Sequence, residues 1–88
     1  MMFGYVLIST KNSYEHEAAD KISRLEEVVD VEPLLVAETA MADPFFGDFD
    51  LIAKIRAYNL KSFKKVVDEK IHTIHDVDKT RIVLKPKV

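Results

Sequence analysis

From Phe49 to Ala57 the chain alternates between two sets of residues, Phe49, Leu51, Ala53 and Ile55 against Asp50, Ile52, Lys54 and Arg56. A period of two belongs to a β-strand, whose successive side chains leave opposite faces. One set is apolar and the other mixed, so the strand fits a sheet with unlike faces. Gly47 and Asp48 lead into it. A turn glycine with carboxylates beside a strand start offers free backbone N–H groups and negative charge in one small space. That suits holding a zwitterion better than breaking bonds.

The flanking segments supply the remaining elements. Phe3 to Thr10 is aromatic and β-branched and ends in a polar cluster, which predicts a strand. Phe3, Tyr5 and Leu7 point one way and Val6 and Ile8 the other, as in a central strand covered on both sides. Asn12 or Ser13 can cap a helix from about Tyr14 to Val28, with Ala18, Ile22, Leu25 and Val29 on one stripe. Val31 to Thr39 reads as a second strand, placed at an edge or begun by Pro33, which has no N–H to donate. Ala40 to Phe46 reads as a loop that nonetheless carries Met41, Phe45 and Phe46. After the strand ending at Ala57, Asn59 can cap a second helix reaching Ile74, with Leu60, Phe63, Val67, Ile71 and Ile74 inward. Val77 to Lys85 forms the last strand, stopped by Pro86; Thr80, Ile82 and Leu84 face opposite to Arg81, Val83 and Lys85.

The order strand, helix, strand, strand, helix, strand within 88 residues gives a single α+β domain spanning 1–88. Its expected plan is the ferredoxin-like split βαβ, a four-stranded antiparallel sheet with both helices on one face. The other face is then the informative one. One set of residues from alternate positions has Val6, Ile8, Ile52 and Val83, and the other has Tyr5, Leu7, Leu51 and Ile82, so both faces keep apolar centres. A monomer rarely exposes several hundred Å² of such surface. Two sheets packed face to face as a homodimer are the expected solution.

Composition narrows the function classes. The chain has no cysteine, which excludes disulfides, thiolate nucleophiles and cysteine metal sites. No apolar run approaches the roughly 18 residues that span a bilayer, and the N-terminal Met-Met-Phe-Gly-Tyr lacks the basic flank of a secretory signal, so the expected compartment is the cytoplasm. A formal net charge of −2 argues against a nucleic-acid binder relying on phosphate contacts. The charge is split, with 3 basic and 11 acidic residues in 1–50 and 10 basic and 4 acidic in 51–88. Neutralisation between adjacent halves accounts for this, although such a surface can also orient self-association.

Motifs for catalysis are lacking. No serine sits in a nucleophile motif. His72 and His75, three apart near a helix end, suffice as helix-dipole partners and lack a fixed third metal ligand. Asp48 and Asp50 share one strand face, but acids beside a turn glycine commonly cap backbone. The aromatic pairs of an RNA-binding split-βαβ sheet are missing, since only Phe49 starts the strand.

The opening Tyr5-Val6-Leu7-Ile8-Ser9-Thr10 strand, the Gly47-Asp48-Phe49-Asp50-Leu51 segment, and Phe63 followed by Glu69-Lys70-Ile71, Ile74, Val77 and Thr80 together resemble the RAM domain. This is the effector-binding domain of the Lrp/AsnC family, here with no helix-turn-helix attached. The resemblance covers nearly the whole chain and rests on order and spacing. It implies a dimeric α+β barrel whose dimers assemble further, with amino-acid effectors bound between dimers. Carried over residue by residue, it implies Gly47 and Asp48 for an effector carboxylate, Asp50 for an ammonium group, Phe49 for packing and Thr80 as a hydroxyl contact. Each residue also has a plain structural role, as turn glycine, capping acid, core aromatic or strand threonine. Three departures bear on the pocket: Phe49 replaces a favoured Tyr, Ile82 replaces a frequent Ser or Thr, and the Met41–Phe46 connection is long.

The resemblance implies an amino-acid-sensing and oligomerisation module of transcription regulation that needs no cofactor. It would act through a full-length Lrp/AsnC-type regulator, without touching nucleic acid itself. The competing readings are a cofactor-free monooxygenase-like enzyme, disfavoured by an aliphatic barrel interior with no histidine on a strand, and an ACT-like domain. The latter expects a Pro-Gly turn where Lys11-Asn12-Ser13 stands.

Overall fold

A computed structural model of the chain describes residues 1–11, 14–34 and 49–84. In chain order its elements are β1 (Met2–Thr10), α1 (Glu15–Ser23), β2 (Val28–Pro33), β3 (Leu51–Ala57), α2 (Leu60–Val66) and β4 (Val77–Val83). A π-helical turn over Val67–Ile71 continues α2. The four strands form one antiparallel sheet in the order β2-β3-β1-β4, the split-βαβ topology expected.

Local chemistry accounts for most of the boundaries. Asn59 caps α2, its Oδ1 accepting from the Ser62 N–H at 2.8 Å, which satisfies one of the donors a helix start leaves open. Tyr14 occupies the cap position of α1 and makes no side-chain cap bond; Asn12 and Ser13 lie outside the described residues. Helix α1 is shorter than expected. It ends at Ser23, and β2 begins at Val28 rather than Val31. The β-branched run Val28, Val29, Val31 suits an extended backbone better than another helical turn. Val29 therefore leaves the helical stripe: it sits at a register irregularity of β2 and is 52% exposed. Pro33 ends β2 on the sheet edge, where its missing N–H breaks no ladder.

Both helices cover one face. Val6, Ile8, Leu51, Ala53 and Ile55 from the sheet pack with Ala18 and Ile22 of α1 and with Phe63, Val67 and Ile71, and all are buried. Leu60, expected inward, is 41% exposed at the first turn of α2. Gly4 is needed where β1 passes beneath α2, because a Cβ there would lie 2.5 Å from Cε2 of buried Phe63. Two ion pairs tie the halves reciprocally. Lys21 of α1 reaches Asp76 beyond the second helix at 2.7 Å, and Lys70 of the π turn reaches Glu27 beyond the first.

The register corrects the expected face assignment. Val6 pairs with Ala53 and Ile82, whereas Leu7 pairs with Ile52 and Arg81. Directly paired residues share a face, so Ile52 and Val83 lie with Tyr5 and Leu7, while Leu51 and Ile82 lie with Val6 and Ile8. The helix face is the more apolar of the two. The open face carries Phe3, Tyr5, Leu7, Ile52 and Val83 interleaved with Lys54, Arg56 and Arg81. Among the described residues no helix is long and apolar enough to cross a membrane.

Candidate functional site

Of the five residues singled out for ligand binding, Gly47 and Asp48 lie outside the described residues; Phe49, Asp50 and Thr80 are half-buried. Asp50 stands immediately before β3 and is the most connected of them. Its N–H donates to the Ile8 carbonyl at 2.8 Å, and its own carbonyl accepts from the Leu34 N–H at 2.8 Å. Oδ2 of its carboxylate accepts from the Thr10 N–H at 2.8 Å and from Thr10 Oγ1 at 3.0 Å. One residue thus fastens β3 to both of its neighbouring strands.

Thr10 is the member of this site that sequence reasoning missed. The β1–β4 register shifts between Ser9 and Thr10. A shift of this kind interrupts the ladder and re-aims the groups beside it, and here Asp50 takes the Thr10 N–H. A polar residue ending one central strand and an acid opening its antiparallel neighbour were the available signal. Thr80 is not brought to Asp50. It pairs with Ile8 on the opposite side of β1, which places it on the helix face of β4. No group of three or more metal-ligating side chains occurs among the described residues.

The open face has its own relief. Asp30 and Glu32 of β2, Ile52 and Lys54 of β3, and Tyr5 of β1 line a groove of about 300 Å³. The Lys54 ammonium stands 5.0 Å from the centre of the Phe3 ring, within reach of its electron-rich face. Phe3 is 53% and Tyr5 38% exposed, while Leu7 between the sheet's central strands is fully buried.

Neither a protein-family model nor a curated protein matches the sequence. Solved structures do match. TTHA0845 from Thermus thermophilus superposes with a TM-score of 0.79 at 20% identity, over 100% of this chain and 96% of that one. AsnC from E. coli gives a TM-score of 0.73 at 19% identity, over 98% of this chain and 52% of AsnC. The transcriptional regulator NMB0573 from Neisseria meningitidis, solved as a complex with L-Met, gives 0.73 at 14% identity, over 97% of this chain and 49% of that one. The chain has their fold. It spans nearly all of TTHA0845 and about half of the two regulators, and the RAM-like architecture expected from the sequence is the one observed.

Proposed function

We propose that this chain is an amino-acid-sensing and oligomerisation module of Lrp/AsnC-type transcription regulation, working in the cytoplasm through a full-length regulator that supplies the DNA-reading element. The observation that carries the reading is the one-sided layering of a sheet with the AsnC fold. Helices cover Val6, Ile8, Ala53 and Ile55, while Phe3, Tyr5, Ile52 and Val83 face away from them. A second copy laid on that face completes a dimeric α+β barrel by removing the exposed aromatic surface from water. Dimers then associate further, and the effector sits near the start of β3.

In this site Gly47 and Asp48 offer backbone to the effector carboxylate and Phe49 packs against its side chain; Thr80, on β4 beyond β1, stands apart from it. Asp50 attracts the ammonium group with a carboxylate that Thr10 holds in place. The L-Met complex of a protein of the same fold supports this ligand class. The role is binding and assembly rather than catalysis.

Thermal-shift measurements against the proteinogenic amino acids test the reading, because a ligand that binds only the folded state stabilises it by mass action. At least one amino acid should raise Tm by several degrees, and Asp50→Asn should remove the response. Silence across the whole series, together with a monomer in sedimentation at micromolar concentration, would refute it.

A further inference from the structure

The open face of the sheet is charged unevenly from one edge to the other. Asp30 of β2 pairs with Lys54 and Glu32 with Ile52, which puts both carboxylates on the open face with Tyr5 and Leu7. On β4, Lys79 pairs with Ser9 and Arg81 with Leu7, so both cations share that face. All of these charged side chains but Lys54 are exposed. Since the strand order is β2-β3-β1-β4, the acidic and the basic strand are the two borders of the sheet. Three strand spacings, about 14 Å, lie between them, too far for the borders of one chain to neutralise each other by contact.

The acidic border also walls the groove of about 300 Å³, with Tyr5 and Ile52 as its apolar part. Neither Asp30 nor Glu32 enters an ion pair among the described residues, and neither does Lys79. Lys54, the cation at the groove itself, stands over the Phe3 ring instead. Carboxylates above an apolar floor suit a long cationic side chain, whose stem packs on the floor while its head reaches the acids.

We propose that the occupant of this groove is the basic border of a second copy: Lys79 and Arg81 on β4 of each subunit meet Asp30 and Glu32 on β2 of the other. This rests on the sheet-to-sheet dimer and adds its orientation. A two-fold axis between two facing sheets has two extremes. Running across the strands, it lays β2 on β2 and β4 on β4, acid against acid and base against base. Running along the strands, it lays β2 of each copy on β4 of the other, and opposite charges meet twice, as an isologous contact requires. The two orientations shield much the same apolar surface, so the border charges decide between them, by attraction in one and repulsion in the other.

Charge reversal read by the dimer Kd in sedimentation tests the orientation. Asp30→Lys/Glu32→Lys and Lys79→Glu/Arg81→Glu should each weaken the dimer about tenfold or more, because every contact between borders turns repulsive. The variant combining both pairs of changes should regain the parent's affinity. Lys64→Glu/Lys65→Glu, on exposed positions of α2, alters the net charge as much as Lys79→Glu/Arg81→Glu and should leave the affinity unchanged. Raising the ionic strength from about 0.05 M to about 0.5 M should weaken the parent dimer by screening. Undiminished affinity in both border variants, a combined variant no tighter than either, or an equal loss in Lys64→Glu/Lys65→Glu would overturn the orientation and leave the dimer standing. A dimer that tightens with salt would overturn it as well, since like charges would then be in contact. A monomeric parent would overturn the orientation together with the dimer on which it rests.

Discussion

Oδ2 of Asp50 accepts two hydrogen bonds from Thr10, one from its backbone N–H at 2.8 Å and one from Oγ1 at 3.0 Å. The carboxylate proposed to bind an ammonium group is thus a clasp between the two central strands. Its two roles separate by substitution. Asp50→Ala leaves the Thr10 N–H without its acceptor and should destabilise the fold by about 1–3 kcal/mol. Asp50→Asn keeps an acceptor oxygen and removes only the charge, so it should cost less than Asp50→Ala while removing amino-acid binding. Urea unfolding of the two variants beside the thermal-shift assay makes the comparison. Equal stability of both with the parent would mean that the clasp carries no weight.

Gly4 is fixed by packing. A methyl group at this position meets Cε2 and Cζ of Phe63 at 2.5 and 2.7 Å, and Phe63 is fully buried. Gly4→Ala should therefore cost about 1–3 kcal/mol through overpacking. Phe63→Leu in the same chain should cost less than the sum of the two single changes, because the residues touch. Strict additivity in chemical denaturation would show that the strain is relieved elsewhere.

Stability should depend on pH through the Glu27–Lys70 pair. The hydrogen bond from Lys70 lowers the Glu27 pKa below its ordinary 4.5. A lowered folded-state pKa contributes stability that is present above the unfolded value and lost as pH falls through the folded one. Lys70 shifts the other way, raised above 10.5 chiefly by its hydrogen bond to Glu27, so its contribution is full below the unfolded value and fades as pH rises through the folded one. Tm measured from neutral pH down through the carboxylate range should fall less steeply in Glu27→Gln than in the parent. Superimposable profiles would place the acid sensitivity in other carboxylates.

Tyr5, at the middle of the open face, should govern self-association. It pairs with Lys54 and Val83 and is 38% exposed in the single chain. Tyr5→Asp puts a charge into the proposed sheet-to-sheet contact and should weaken the dimer by about 2 kcal/mol or more, roughly thirtyfold in Kd. Sedimentation velocity reads the change. A dimer of undiminished affinity would move the contact to another surface.

The order of the elements and the choice of buried helix residues were legible in the chain because both depend on local periodicity. Ala18 and Ile22, and Phe63, Val67 and Ile71, recur at helical spacing, and the Leu51–Ala57 alternation is that of a strand. Each repeats over a few residues whatever the rest of the chain does. Asn59 as a cap likewise depends only on a neighbour three residues ahead. The sequence pointed correctly to the RAM-like fold for the same reason, since order and spacing are what that resemblance consists of.

Pairing was decided by the tertiary structure. Alternation shows that Leu51 and Ile52 face opposite ways but not which of them joins Val6. A slip of one residue between strands more than forty positions apart exchanges the whole set, and only the Val6–Ala53 register resolves it. The Thr10–Asp50 clasp and the close fit of Phe63 over Gly4 are likewise contacts between distant segments. Local pattern carries no information about such contacts, because their energy exists only once the strands have been brought together.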